Sequence, residues 1–301
     1  MATLKRWISN PRTALLIIAL PGIVHFLTFK YVPLFGNIIV FQNYDMFRGI
    51  WGSKWVGFDH FVKMFTYYDF FRILKNTILL SLYRLIAGFP APIILAILLN
   101  EIRQMAFKRS IQTFLYFPHF LSWVIVGGIF LRLIDLNGIV NDIIAALGFE
   151  RISFLTESMY FRSIIVWAAI WKEVGWDMII YLAAIAGVNP NLYEAAVVDG
   201  ATRLRQMWHI TMPALLPAIV VLFLLRISNL LDSGVEEVLM FLNPLVRDVG
   251  EVLDTYVYRV GLLEARFSYT TAIGFFKSVV GLLLVMGLNA FAKRATGESI
   301  Y

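Results

Sequence analysis

The run from Pro213 to Leu231, PALLPAIVVLFLLRISNLL, holds one charged side chain, Arg226, in 19 residues. A helix needs about 20 predominantly apolar residues to cross the hydrocarbon core of a bilayer. The same pattern recurs at about Thr13–Phe41, Asn76–Leu99, Ser110–Leu133, Ser163–Ala186 and Thr271–Phe291. With 59% hydrophobic and only 15% charged residues, the chain lacks the charge that covers a soluble domain. The expected fold class is therefore an all-α membrane protein of six transmembrane helices, one bundle over residues 1–301. Pro21, Pro33, Pro90, Pro92 and Pro118 are expected to kink helices or end them early. A bundle tolerates this where neighbouring chains satisfy the freed backbone groups. The first apolar run is too long for the core of a signal peptide and lacks a small-residue cleavage site.

The net charge of +6 raises the question of nucleic acid. No basic run exceeds two or three residues and no recognition motif accompanies one, so nucleic acid is not an expected partner. Cytoplasmic cations of a membrane protein account for the excess. With the N-terminus inside, segments 1–12, 101–110, 188–210 and 293–301 carry Lys5, Arg6, Arg12, Arg103, Lys108, Arg109, Arg203, Arg205, Lys293 and Arg294, ten cations in 54 residues. Loops 42–72, 135–160 and 232–270 carry eight in 96 residues and fourteen of the twenty acids. That density difference places both termini in the cytoplasm and leaves the external face net negative. The external stretch NYDMFRGIWGSKWVGFDHFVKMF has two open readings, interfacial aromatics and a docking surface for an external partner. The chain has no cysteine, which excludes disulfides, thiol catalysis and zinc–thiolate sites.

Between the fourth and fifth spans lies a polar segment, NPNLYEAAVVDGATRLRQMWHITMP, residues 189–213. Asn189 suits a helix cap and Pro190 the first helical position. A short helix is expected through LYEAAVVD, with Gly200 turning the chain at positive φ. Thr202 is a plausible second cap for RLRQMWHI, and Pro213 is expected to open the fifth span. Ala195 and Ala196 leave one face small enough for close approach by another surface. An amphipathic connector lying on lipid headgroups is the competing reading.

The pattern Glu194-Ala195-Ala196, three residues, Gly200, nine residues, Ile210, one residue, Met212-Pro213 resembles the EAA motif of ABC importer permeases. Met212 departs from it, since that motif ends in Leu-Pro. FKYVPLFGNIIVFQNY, LNEIRQMAFKRSIQTFLYFPHFLSWVIVGGI and DTYVYRVGLLEARFSYTTAIGFFKSVVGLLL extend the likeness across nearly the whole chain, to permeases of oligosaccharide and polysaccharide importers related to the maltose importer. Within them the chain looks closest to the branch serving complex saccharides, including uronate-containing ones. The resemblance implies a second, similar permease, two cytoplasmic ATPase subunits holding ATP and Mg, an external solute-binding protein, and a place in the bacterial inner membrane. It implies a cytoplasmic coupling loop at 189–212, with Glu194 a polar contact to the ATPase and Gly200 the turn. Asp199, Arg203 and Arg205 are neighbouring candidates. No G-x-x-x-x-G-K-[ST] loop occurs, so ATP hydrolysis must reside on a partner.

Charged side chains inside spans are costly and either pair or line a path. At about 1.5 Å per residue, Arg84, Arg226 and Lys277 lie about 8–12 Å below the outer edge, Glu173 about 15 Å and Asp177 about 21 Å. Glu173 and Asp177 share a helix face, where two carboxylates repel. They call for cationic partners or water. Trp167, Trp171 and Trp176 stand on the same helix, the first two on one face. Two readings are open: interhelical ion pairs with packed Trp, or a hydrated cavity binding sugar hydroxyls and carboxylates. An ion-coupled secondary transporter is the rival function, but the symmetric repeats expected of one are not evident. No metal is expected: His25, His60, His119 and His209 are scattered, and neither H-E-x-x-H nor G-x-S-x-G occurs. His119, after Pro118, reads as a packed or capping residue.

Overall fold

The computed structural model describes residues 11–296. Lys5 and Arg6, two of the expected cytoplasmic cations, lie outside the described residues, as does the segment from residue 297. Boundaries after Tyr67, Arg259 and Phe275 divide the chain into two compact units.

The first unit begins with α1 (Pro11–Phe26), which passes into a π turn at Leu27–Tyr31 and a 3-10 helix at Val32–Phe41. A short hairpin follows, with β1 (Gln42–Asn43) antiparallel to β2 (Lys54–Trp55). Helix α2 (Asp59–Thr66) follows. Its His60 Nε2 lies 3.0 Å from the Gln42 carbonyl, and the Phe41 ring stacks on Trp55 at 5.7 Å. The aromatic-rich stretch is thus partly a packing element, while Phe47 and Trp51 remain fully exposed.

The second unit holds α3 (Phe70–Tyr83), a π turn at Arg84–Gly88, α4 (Pro90–Asn100), α5 (Met105–Tyr116), α6 (Trp123–Leu133) and α7 (Ile139–Ala146). The long α8 (Ser158–Ala186) leads to α9 (Pro190–Val198), then α10 (Arg203–Gln206), a π turn at Met207–Thr211 and α11 (Met212–Ser228). Helices α12 (Val235–Phe241), α13 (Arg247–Gly250) and α14 (Leu253–Val257) follow, and α15 (Phe267–Thr296) contributes to both units.

Three of the four π turns among the described residues end two residues before a proline: Pro33, Pro90 and Pro213. Proline offers no N–H to the carbonyl four residues back, and its ring crowds that carbonyl. Widening the preceding turn by one residue relieves both problems without ending the helix. The Met212 N–H, for example, bonds the Met207 carbonyl, five residues back. Pro33, Pro90 and Pro213 are therefore absorbed inside continuing helices, each with a distorted turn ahead of it.

Four helical segments among the described residues are long and apolar enough to cross a bilayer: Leu15–Phe41, Phe70–Asn100, Arg203–Ser228 and Phe267–Phe291. Two of the six expected spans differ from a continuous apolar helix. The third is broken, with Met105–Phe120 and Trp123–Leu133 meeting at 105°. Leu121 is extended there, and the Ser122 hydroxyl caps a new helix by accepting from the Ile125 N–H. The fourth coincides with α8, whose 29 residues reach about 43 Å. Lys172, Glu173 and Asp177 in its middle keep it out of the apolar set.

Helix α8 is the centre of the second unit. Ile165 and Ala168 join one buried cluster with Leu80, Val126 and Phe241, while Met178, Tyr181 and Ile185 join another with Ile93, Leu99 and Leu215. Where lipid competes equally for apolar surface, close backbone approach at small residues drives helix association. At Gly175 a Cβ would overlap the backbone carbonyl of Leu115 on α5. Gly175→Ala is expected to force α8 away from α5 at a cost of about 1–3 kcal/mol. Protease-resistant, membrane-inserted protein should fall correspondingly, and a wild-type yield would refute that packing.

Candidate functional site

The polar segment folds as its local chemistry dictates. Asn189 Oδ1 accepts from the Asn191 N–H at 3.0 Å, and Pro190 opens α9. The helix closes on Gly200 at φ +71, and the Ala201 N–H reaches back to the Ala196 carbonyl at 2.8 Å. This is the left-handed C-terminal turn that glycine permits at little cost. Thr202 Oγ1 accepts from the Arg205 N–H at 3.4 Å and caps α10. Instead of ending before the fifth span, α10 runs through the π turn into α11 as one helix, Arg203–Ser228. Pro213 lies inside that helix, which corrects the expectation that it opens the span.

Glu194, Ala195, Asp199, Gly200, Arg203 and Arg205 are exposed, and Ala196 is partly so. Glu194 has no ion-pair partner among the described residues. Around it Leu192, Val197 and Val198 are also exposed. Two contacts unforeseen from sequence brace the loop. Tyr193 Oη lies 3.0 Å from Thr211 Oγ1, a buried hydroxyl at the base of α11, and Arg203 Nη1 donates to Glu101 Oε2 at 2.7 Å. Tyr193→Phe removes the first brace and is expected to cost about 1 kcal/mol. A lowered thermal midpoint of the purified subunit would measure it, and an unchanged midpoint would mean that the two hydroxyls bond elsewhere.

The charges on these helices and beside them are paired. Arg84 Nη1 meets Glu237 Oε1 at 2.6 Å and donates to the Ser233 carbonyl at 2.8 Å. Burial lifts the Glu237 carboxyl to about 7, with the Arg84 guanidinium opposing the rise. Arg226 Nη2 holds Asp177 Oδ2. Lys277 joins Asp232 at 2.6 Å and also Asp254, whose other oxygen accepts from the Ser233 N–H at 2.6 Å. Glu173 accepts from Lys172 at 2.9 Å and meets His119 Nδ1 at 2.6 Å. Lys172 also donates to the His119 carbonyl at 2.8 Å, satisfying a backbone group at the break in the third span. The His119 ring stacks on Trp176 with centroids 4.4 Å apart.

Two cavities adjoin these pairs. One, of about 350 Å³, is lined by Phe89, Asp177, Tyr181, Leu222, Arg226 and Asn229 among others. The second, of about 120 Å³, shares Phe89, Arg226 and Asn229 and adds Arg84 and Asp232. Arg84, Asp177 and Arg226 of the sequence candidates thus come together at cavity walls. Trp167, Trp171, Glu173, Trp176 and Lys277 line neither. Trp167 is exposed, and Trp171 packs near Phe130 at 5.7 Å. The partners Lys172, Asp232, Glu237 and Asp254 were not anticipated. A carboxylate among apolar neighbours in VEEVLMF was the only available signal for Glu237. Among the described residues no cluster of three or more His, Cys, Asp or Glu could hold a metal ion.

A multi-helix chain with ion-paired charges among its helices, polar-walled cavities beside them and an exposed capped loop between two of them has the build of a membrane transport subunit. The chain belongs to the family described as binding-protein-dependent transport system inner membrane component, matched over residues 88–297. That family comprises transport permeases, not enzymes. The chain is 51% identical over 288 residues to the polygalacturonan/rhamnogalacturonan transport system permease protein YteP of Bacillus subtilis strain 168, covering 95% of this chain and 90% of the relative. Protein LplB of the same organism is 47% identical, with coverage of 100% and 93%. Among solved structures, a bacterial ABC transporter involved in import of the acidic polysaccharide alginate matches with TM-score 0.87 at 40% identity, covering 97% of this chain and 99% of that one. A bacterial alginate ABC transporter in complex with an alginate pentasaccharide-bound periplasmic protein matches with TM-score 0.88, also at 40% identity, covering 98% and 99%.

Proposed function

We propose that this chain is a permease subunit of an ATP-driven ABC importer. With a second, homologous permease it forms the membrane pathway for an oligo- or polysaccharide, in particular a uronate-containing one, delivered by an external solute-binding protein. The observation that carries the reading is full-length similarity to importer permeases, at 51% identity to one for polygalacturonan and rhamnogalacturonan and 40% to one for alginate. In this reading α8 is a sixth span despite its charges, because Glu173 and Asp177 are paired with Lys172, His119 and Arg226. Both termini and the loop 189–212 face the cytoplasm of a bacterial inner membrane. Two ATPase subunits, which hold ATP and Mg, receive the loop. Glu194 contacts an ATPase cation, Gly200 fixes the turn, and Asp199, Arg203 and Arg205 flank the contact. An exposed carboxylate without an ion-pair partner among the described residues, set among exposed Leu192, Val197 and Val198, supports a protein partner over a lipid surface. Alternating access then follows from ATPase closure moving α9, and with it the two helices the loop joins.

The test is reconstitution in proteoliposomes with the second permease, the ATPase subunits and the binding protein. ATP-dependent accumulation of an oligogalacturonate that needs all four components is the expected result. Accumulation by this chain alone under an ion gradient would favour a secondary transporter instead.

A further inference from the structure

We propose that the larger cavity, between α4, α8 and α11, is a subsite for the carboxylate of an anionic sugar unit, which binds Arg226 by displacing Asp177. The proposal rests on the saccharide-importer reading and names the substrate chemistry of its pathway. A cavity of about 350 Å³ with mostly apolar walls and a few convergent polar groups has the usual form of a small-ligand site. Its polar groups are Arg226, Asp177 and Asn229, and the Phe89 ring supplies an apolar wall for a sugar face.

Two arginines stand along these cavities, and their surroundings differ. Arg84 is locked: it holds the buried Glu237 and the Ser233 carbonyl, and its Nε and Nη2 are shielded without partners. Withdrawing Glu237 would strand a charge in a buried site. Arg226 is open: 52% of its side chain is exposed, and its contact with Asp177 is made through Nη2. A guanidinium carries five donors in a planar fork, so one contact leaves most of its capacity unused. A carboxylate entering the cavity can take the bidentate geometry that gives the strongest pairing. Asp177 is 28% exposed and can turn to cavity water when released.

Charge decides the selectivity. Arg226 and Asp177 neutralise each other, so a neutral sugar can use only the free N–H donors of Arg226 and has no charge with which to displace Asp177. An anionic sugar competes for the cation directly. The exchanged contact ties α8 to α11, the helices bracketing the loop 189–212, so occupancy loosens a tie on both sides of that loop.

The test is calorimetric titration of the purified importer complex, without its binding protein, using trigalacturonate and its fully methyl-esterified, neutral form. Arg226→Gln is expected to weaken trigalacturonate binding about tenfold or more. Asp177→Asn removes the competitor and is expected to tighten it several-fold, while the methyl ester responds less to both changes. Opposite signs from the two halves of one ion pair cannot arise from misfolding. If Asp177→Asn weakens binding as Arg226→Gln does, the pair is structural and the subsite is overturned. Equal binding of both probes overturns it as well. Both results leave the importer reading standing. That reading fails separately if the complete complex shows no ATP-driven uptake of any saccharide.

Discussion

Uptake by the reconstituted importer is expected to fall about a hundredfold in Gly200→Pro while the subunit still inserts and its ATPase partners still hydrolyse ATP. Gly200 sits at φ +71, and proline is confined to about −65°. The substitution also removes the N–H that bonds the Val197 carbonyl at 3.0 Å. The exit of α9 must then be redirected, and with it the exposed face that carries Glu194. Nothing lies within 4 Å of a Cβ built at Gly200, so Gly200→Ala meets no clash and bears only left-handed backbone strain, about 1–2 kcal/mol. The series Gly, Ala, Pro should therefore order the loss by backbone geometry alone. Glu194→Lys reverses a charge without disturbing any ion pair among the described residues, and should uncouple hydrolysis from uptake with the fold intact. The measurement is the ratio of ATP hydrolysed to saccharide accumulated. A wild-type ratio in both Gly200→Pro and Glu194→Lys would remove the coupling role from this loop.

The loop was the most legible part of the chain because its determinants are local. Asn189 before Pro190, a glycine ten residues on from Pro190 and Thr202 ahead of a helical run each act within a few residues. Its one misreading was also local. Pro213 looks like a helix start, and only the π turn at Met207–Thr211 allows the helix to run through it. Pro33 and Pro90 were expected to kink or end their helices, and the widened turns ahead of them are the distortion they produce. The break in the third span had a visible proline, Pro118. Its angle depends on Ser122 capping a new helix and on Lys172 reaching the His119 carbonyl from α8, a contact between residues far apart in the chain.

The helix-borne charges show the same division. Burial depth along a helix follows from residue number, and Arg84, Arg226, Asp177 and Lys277 were flagged that way. Their partners were not, because Glu237, Asp232 and Asp254 belong to a stretch that reads as an external connector. It folds instead as α12, α13 and α14, which bring acids back to the spans. Trp167, Trp171 and Trp176 line neither of the two cavities described. A shared helical face tells which residues travel together, but not whether that face meets a cavity, a neighbouring helix or lipid.

The Arg84–Glu237 pair should be the most costly contact in the second unit to break on one side. Both groups are largely shielded, and their N–O distance is 2.6 Å. Removing one partner leaves the other as an uncompensated buried charge, a loss of about 3–5 kcal/mol, whereas replacing both with apolar groups of similar volume is often close to neutral. Arg84→Met and Glu237→Leu are each expected to abolish most of the folded subunit, and the double variant to restore it. Arg84→Met also strands the Ser233 carbonyl, so the restoration should be incomplete by about 1 kcal/mol. Thermal unfolding of the detergent-purified subunit, read as a double-mutant cycle, measures the coupling. Additive losses would mean that the two side chains fold independently of one another. In that event α12 must be held by Val238 and Phe241 in the apolar cluster with Ile165 rather than by the charge it presents to Arg84.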